Sequence, residues 1–230
     1  MDRTAGMLLN WLRTDEPEIM DREGLSPRGL RLLDDLDRWN RAARWYDGHL
    51  ARIQAHWEAL GRPDPFRILD VGSGSGGLLD ALSRSDLPVK LTGVDRSPAY
   101  VEFARRRLED RATILEGDAT ALEVDGFDLV TNTLMMHHLP VPVRTAMVAK
   151  MERVARSVYI FDLEVTLYGA VGFAFVAPLA GVRFDAIRDG VTSVRRGSTF
   201  AEFSALVAPL PVIPRRVFPS AMCTMPATPR

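Results

Sequence analysis

The segment from Arg67 to Gly77, RILDVGSGSGG, constrains the fold of this chain most strongly. Ile68, Leu69 and Val71 form the short apolar run that is typical of a central parallel strand. The glycines that follow let the backbone turn sharply and approach a ligand without clashes from Cβ atoms. Apolar residues from Leu78 to Leu82 then predict a helix, whose first N–H groups can receive an anionic group. The segment therefore predicts a strand, a ligand-binding turn and a helix in succession.

Two classes of cofactor fit this glycine turn. Gly72, Gly74 and Gly77 match the G-x-G-x-x-G fingerprint of dinucleotide-binding enzymes. Gly72, Gly74 and Gly76 instead give the pattern G-x-G-x-G. Asp70 favours the second pattern, because a carboxylate repels a nearby pyrophosphate but attracts a cationic cofactor.

Three further landmarks follow in order along the chain. Asp95 ends the second predicted strand, where a carboxylate can accept hydrogen bonds from both ribose hydroxyls, as it also does in NAD enzymes. Asp118 and Ala119 follow the third predicted strand. Asn132 ends the fourth, just before the segment from Leu134 to Pro140, LMMHHLP. Together with the glycine turn, these landmarks resemble the motifs of class I S-adenosylmethionine-dependent methyltransferases that act on small molecules, such as those of ubiquinone, menaquinone and secondary metabolism.

The resemblance covers Phe66 to about Leu163 and implies that S-adenosylmethionine is the cofactor. It assigns the adenine amino group to the Asp118 carboxylate and a ring nitrogen to the N–H of Ala119. The residues that it places around the cofactor are Asp70, Gly72, Ser73, Gly74, Gly76, Asp95, Arg96, Asp118, Ala119 and Asn132.

Alternating strand and helix patterns predict an α/β fold with parallel strands and right-handed crossovers. We expect strands near 67–71, 90–94, 112–116, 127–131 and 157–162, and helices near 76–84, 97–109 and 142–155. The resemblance implies a Rossmann-like, doubly wound sheet of about seven strands. Its sixth strand would lie around 190–195, and the last, antiparallel one within 212–222. The predicted units are an N-terminal helical cap or lid (1–65), a cofactor-binding domain (66–225) and a flexible tail (226–230).

Composition narrows the function classes. A chain of 230 residues can bury the core of one full domain. Its formal net charge of −1 predicts no broad basic face for nucleic acid. Cys223 is the only cysteine, which excludes an intrachain disulfide and a cysteine metal cluster. The first 13 residues lack the long apolar region and cleavage site of a signal peptide, so we expect a cytoplasmic protein.

Two flanking segments could shape the acceptor site. Residues 1–65 show helical patterning, with a short helix near 5–13, a loop at 14–27 and helix at 27–60, acting either as a lid or as a brace on the sheet. The segment 165–182 carries no charge and approaches the ~20 residues of a membrane span. Glycines and a proline interrupt it, so we expect no stable membrane insertion. It forms either a buried helix and loop or the wall of an apolar pocket lined by Tyr168, Phe173 and Phe175.

His137 and His138 are the candidate catalytic residues. Methyl transfer mainly requires that the nucleophile and the methyl group be aligned and shielded from water, but an acceptor hydroxyl can also need a base. Histidine suits that task because its pKa lies near neutrality. Alternatively, the pair only shapes the pocket. His49 and His56 are expected on a helix face, or alternatively to reach into the site. No metal site is expected, because no nearby Cys or Glu completes a ligand set with either pair.

These inferences predict S-adenosylmethionine-dependent methyl transfer to a small, hydrophobic or aromatic acceptor such as a phenol, quinone or polyketide. O-methylation is favoured over C- or N-methylation. An NAD(P)-dependent oxidoreductase is the competing class, although the chain has no Tyr-x-x-x-Lys pair. A cofactor-binding protein without catalysis is the third. The oligomeric state is left open.

Overall fold

The computed structural model describes residues 12–121 and 123–227 of the chain. Within these residues, helices cover both faces of a seven-stranded sheet. The strands are Phe66–Val71 (β1), Val89–Asp95 (β2), Thr113–Glu116 (β3), Phe127–Thr133 (β4), Ala155–Leu163 (β5), Val212–Val217 (β6) and Ala221–Pro226 (β7). The helices are Ile19–Glu23 (α1), Pro27–Ala42 (α2), Trp45–Ala59 (α3), Gly77–Ser83 (α4), Pro98–Leu108 (α5), Val141–Val154 (α6), Leu167–Val176 (α7), Phe184–Arg196 (α8) and Phe200–Val207 (α9).

The order of the strands places β1 near the middle of the sheet. They follow one another as β3-β2-β1-β4-β5-β7-β6. The first five are parallel, whereas β7 runs antiparallel to both of its neighbours. This confirms the predicted Rossmann-like α/β sheet with an antiparallel last strand. Because parallel strands end at a common edge, the segments that follow β1 to β4 lie side by side there.

Burial on both faces explains the apolar residues of β1, which are Phe66, Ile68, Leu69 and Val71. Phe66 and Ile68 belong to the core shared with α3, α4 and α5. Leu69 and Val71 belong to the core beneath α6 and α9. Successive side chains of a strand point to opposite faces, so a strand covered on both sides needs apolar residues at nearly every position.

The expected sixth strand at 190–195 is wrong. These residues belong to the helix α8, and the sixth strand is β6. Val191 and Val194 both pack against Leu163 and Ala170, and a spacing of three residues places them on one helix face. The closing segment at 212–222 is likewise not one strand, because a turn after Val217 divides it between β6 and β7.

The N-terminal region forms three helices where one loop and one long helical segment were expected. α1 lies within the predicted loop, and Arg44, with a left-handed φ of 52°, separates α2 from α3. α3 braces the sheet, since Ile53 is fully buried in the core. The expected helix at 5–13 lies mostly outside the described residues. So do the last three residues of the expected tail, whose first residue, Pro226, still belongs to β7.

The uncharged segment 165–182 forms α7 and a 3-10 turn at Ala177–Ala180. Tyr168 and Phe175 are 57% and 75% exposed, so they do not line an enclosed pocket as expected. Phe173 packs edge-on against Trp39, with ring centroids 4.9 Å apart. Among the described residues, no helix combines the length and the apolar character needed to cross a membrane.

Candidate active site

The glycine turn begins where β1 ends. Gly72, Gly74 and Gly76 have φ values of 69°, 50° and 75°, a left-handed conformation that glycine adopts without strain. A Cβ atom at Gly72 would lie 2.8 Å from the side chain of Met135, so the turn packs closely on the segment after β4. A Cβ at Gly74 would meet nothing within 4 Å, so this part of the turn faces open space.

Gly77 has a different role from the other glycines of the turn. Its φ is not positive, and a Cβ there would lie 2.3 Å from the hydroxyl of Tyr46 on α3. Close packing against the N-terminal helices therefore explains this glycine. The positive φ values fall on the G-x-G-x-G pattern, whose third member is Gly76.

Asp95 connects the end of β2 to the glycine turn. Its Oδ2 accepts a hydrogen bond from the N–H of Gly74 at 2.9 Å, and its Oδ1 accepts one from the N–H of Ser97 at 2.8 Å. These bonds hold the carboxylate beside the turn. Arg96, the next residue, is exposed.

Asp70 is buried at the end of β1. Its Oδ1 accepts a hydrogen bond of 2.7 Å from the hydroxyl of Thr131 on β4. Burial raises the pKa of Asp70 to about 7, since a desolvated carboxylate is disfavoured. The bond from Thr131 opposes that rise in pKa, and the negative charge of Asp95 adds to it. This carboxyl group is thus poised between its neutral and ionised forms at neutral pH.

Two buried polar atoms flank the turn without a hydrogen-bond partner among the described residues. They are Asn132 Oδ1 and Ser73 Oγ. The amide nitrogen of Asn132 donates to the carbonyl of Val71 at 2.8 Å, which fixes the orientation of its side chain. Buried polar groups are normally paired, so these two atoms lack the partner that such groups usually have.

Asp118 lies at the same edge of the sheet, after β3. Its Oδ1 accepts hydrogen bonds from the N–H and the hydroxyl of Thr120, at 2.8 and 2.7 Å. These bonds, with a smaller contribution from the charge of Arg96, lower the pKa of this exposed carboxyl group. Ala119 follows it, partly buried. The structure therefore brings the predicted cofactor residues, which lie at or just after the carboxyl ends of β1, β2, β3 and β4, to one edge.

His137 and His138 form a 3-10 turn shortly after β4. His137 is buried, with Nδ1 2.5 Å from Asp162 Oδ1 and Nε2 3.4 Å from Glu18 Oε1. Burial alone would lower the pKa of His137, but the two carboxylates outweigh burial and raise it to about 9. The role of the histidines as a base stays a prediction. To act as a base, His137 must first lose the proton that the carboxylates of Asp162 and Glu18 stabilise on its ring.

His138 is more accessible, and its side chain is 26% exposed. Its Nδ1 lies 3.0 Å from Asp21 Oδ1 and its Nε2 lies 3.7 Å from Glu18 Oε1. Asp21 also pairs with Arg196 of α8 at 2.9 Å. The N-terminal segment that carries Glu18 and Asp21 is thereby fastened to the candidate catalytic turn.

Sequence reasoning missed Glu18, Asp21 and Asp162. Asp162 could have been found, because it lies near the carboxyl end of β5 at the same edge as the other site residues. Glu18 and Asp21 gave no such signal, since they occur in an acidic stretch that reads as a loop. The expectation that no Glu lies near the histidine pair is wrong, because the fold places Glu18 there.

His49 and His56 of α3 face the sheet and not the candidate site. His49 Nδ1 lies 2.7 Å from the hydroxyl of Tyr159, and His56 Nδ1 lies 2.8 Å from that of Ser157. Burial lowers the pKa of His49 to about 3 and that of His56 to about 4. Both histidines are therefore neutral in the folded protein.

Comparison with known proteins gives a match in the central part of the chain. Residues 68–157 match the family model described as a methyltransferase domain. The ubiquinone biosynthesis O-methyltransferase of Nitrosococcus oceani is 34% identical over 99 residues, which cover 40% of this chain and 39% of that enzyme. The non-reducing polyketide synthase pkdA of Emericella nidulans is 38% identical over 77 residues, 31% of this chain and 3% of that protein. The chain thus spans well under two thirds of the length of these relatives.

Solved structures agree in fold. The plantazolicin methyltransferase BpumL, in complex with a pentazolic desmethylPZN analog and SAH, matches with a TM-score of 0.65. The match covers 93% of this chain and 82% of that one at 16% identity, a level that shows the fold alone. The family match and the fold agree, and residues 68–157 of this chain are similar to a methyltransferase domain.

Proposed function

We propose that this protein transfers a methyl group from S-adenosylmethionine to a small, hydrophobic or aromatic acceptor. A phenol, quinone or polyketide is the favoured class of acceptor, and oxygen is the favoured methylated atom. The observation that carries the proposal is the juxtaposition of Asp70, the glycine turn and Asp95 at the same sheet edge as the His137–His138 turn.

Charge supports the choice of cofactor. Asp70 and Asp95 place two carboxyl groups beside the turn, which suits a ligand that carries ammonium and sulfonium groups and repels a pyrophosphate. When bound, the cofactor would supply a methyl group already activated by the sulfonium. The unpartnered Ser73 Oγ and Asn132 Oδ1 offer further contacts at this place. Gly77, on which the dinucleotide pattern depends, is accounted for by Tyr46.

The 3-10 turn that carries His137 and His138 supports the proposal that the acceptor has an acidic hydroxyl group. Met135 packs on Gly72, so His137 and His138 lie two and three residues after the residue that touches the glycine turn. A partly exposed imidazole such as His138 can hydrogen-bond an acceptor hydroxyl and take its proton. Among the relatives, one by name methylates oxygen in ubiquinone biosynthesis and another makes polyketides, which supports the same class of acceptor.

The contacts of Glu18 and Asp21 support an N-terminal cap, residues 1–65, that covers the acceptor side of a domain at 66–225. The small-molecule acceptor is the only partner that we propose, with no nucleic acid. Cytoplasmic location stays a prediction.

Thermal denaturation with S-adenosylhomocysteine and with NADH tests the cofactor. A ligand that binds only the folded state raises the melting temperature, and we expect this for S-adenosylhomocysteine alone. Stabilisation by NADH alone would overturn the proposal in favour of an oxidoreductase.

Mass spectrometry after incubation with S-adenosylmethionine and a panel of phenols and quinones tests the reaction. We expect a product that is heavier by one methyl substitution, and reduced turnover in His138→Ala with unchanged S-adenosylhomocysteine affinity. Cofactor binding without any methylated product would identify the protein as a binding protein. Full turnover in both His137→Ala and His138→Ala would remove the base role.

A further inference from the structure

We propose that Glu18, His137 and His138 form a binding site for a divalent transition-metal ion, with Zn²⁺ as the best match. Each residue offers one ligand atom, and the three atoms lie within 4.8 Å of one another. Two imidazole nitrogens and one carboxylate oxygen are a ligand set that suits zinc and related ions.

The two separations from Glu18 are close to those of tetrahedral coordination, and all three ligand atoms lie within 4.8 Å of one another. Glu18 Oε1 lies 3.4 Å from Nε2 of His137 and 3.7 Å from Nε2 of His138. Metal–ligand bonds of about 2.0–2.2 Å, set at tetrahedral angles, separate neighbouring ligand atoms by about 3.3–3.6 Å. Small side-chain adjustments are therefore sufficient to enclose an ion.

The outer contacts of both histidines are those of metal ligands. Nδ1 of His137 faces Asp162 at 2.5 Å, and Nδ1 of His138 faces Asp21 at 3.0 Å. A carboxylate on Nδ1 fixes the tautomer that carries its proton there, which leaves the lone pair of Nε2 for a metal. Both Nε2 atoms approach the same oxygen of Glu18.

Glu18 supplies an independent observation. Its side chain is only 8% exposed, and among the described residues no donor meets Oε1 with hydrogen-bond geometry, although Nε2 of His137 lies 3.4 Å away. An ionised oxygen buried in this way is costly unless a cation meets it. Asp21 and Asp162 add two more carboxylates, and Arg196 pairs with one of them. A divalent ion that displaces the Nε2 proton of His137 to solvent balances the remaining negative charge.

A bound ion would join two parts of the chain that are distant in sequence. Glu18 precedes α1, whereas both histidines follow β4. With the ion bound, His138 is a ligand and not a base, and its partly exposed side leaves a route from solvent for a further ligand. Because the three ligands converge only in the folded chain, metal binding must stabilise the fold.

Titration of chelator-stripped protein with ZnCl₂ tests the site. We expect one Zn²⁺ per chain by calorimetry and elemental analysis, together with a higher melting temperature. Co²⁺ should give the visible absorption of a tetrahedral ion. Glu18→Gln and His138→Ala should abolish this stoichiometric binding, and Asp21→Asn should weaken it by about 10–100-fold.

Glu23→Gln is the matched control, because Glu23 belongs to α1 but contacts Ser26 and Arg28 and not the histidines. It should bind Zn²⁺ like the unaltered chain. S-adenosylhomocysteine binding by every variant reports an intact fold and tests the cofactor proposal separately. Absence of stoichiometric Zn²⁺, or equal binding by Glu18→Gln, His138→Ala and Glu23→Gln, would overturn the site and identify the cluster as a proton-mediated ion pair.

Discussion

Asp95 accepts a hydrogen bond from the backbone N–H of Gly74 at 2.9 Å, which joins the end of β2 to the turn after β1. The same carboxylate also caps the N–H of Ser97 at the start of α5. One acidic side chain thus fixes the conformation of the turn and remains beside the open space at Gly74. Its contact with the turn and the cofactor contact that we propose for it are separable by substitution.

Asp95→Ala should weaken S-adenosylhomocysteine binding by roughly 1.5–3 kcal/mol, because charge-assisted hydrogen bonds are lost. Asp95→Asn keeps one acceptor oxygen for the turn, so its affinity for S-adenosylhomocysteine should lie between those of the unaltered protein and Asp95→Ala. Calorimetric titration measures the affinities. Asp86→Ala, an exposed residue before β2, is the control and should bind normally. Equal affinity in Asp95→Ala and Asp86→Ala would place the cofactor elsewhere.

Gly77→Ala should destabilise the protein by about 1–3 kcal/mol, because its Cβ would lie 2.3 Å from the Tyr46 hydroxyl. Removing that hydroxyl in the double variant Gly77→Ala/Tyr46→Phe should recover most of the lost free energy of unfolding. Urea denaturation of the four proteins of this cycle gives the coupling between the two sites. We expect the double variant to bind S-adenosylhomocysteine. Its failure to do so, despite restored stability, would show that the cofactor itself needs Gly77.

Cofactor affinity should depend on pH through Asp70. Its pKa of about 7 means that the group is largely neutral below that pH, whereas a cationic ammonium group is bound best by the ionised form. Affinity for S-adenosylhomocysteine should therefore fall as pH drops from 8 to 6, approaching tenfold per pH unit at the acidic end. Asp70→Asn should bind more weakly and with little pH dependence. A flat profile in the unaltered protein would contradict the contact with Asp70.

The site residues at the sheet edge could be predicted from sequence, because each lies next to the strand that positions it. Asp70, Asp95 and Asp118 each follow an apolar run, and parallel strands bring such positions together without further information. The mistaken strand at 190–195 shows where this reasoning fails. Two valines, Val191 and Val194, fit the pattern of a short strand as well as that of a helix. Their packing in the cluster of Leu163 is tertiary information that the local sequence does not contain.

Glu18 illustrates the other failure. Its contact with His137 joins segments that are remote in sequence, and no hydrophobic periodicity marks it. Such contacts depend on how the N-terminal helices dock on the sheet, which is a property of tertiary packing. The buried positions of His49 and His56 have the same origin, since helical spacing alone does not say whether a face meets solvent or core.

His49 and His56 should make the fold less stable in mild acid. Their pKa values of about 3 and about 4 lie below the ordinary value of 6.5. Between these values the histidines are protonated in the unfolded chain but not in the folded chain. The free energy of unfolding should therefore decrease as pH falls below 6.5, by up to about 1.4 kcal/mol per pH unit for each histidine. Urea denaturation at several values between pH 5 and 7 measures this slope, and His56→Gln should reduce it. An unchanged slope in His56→Gln would mean that His56 takes up its proton in the folded state.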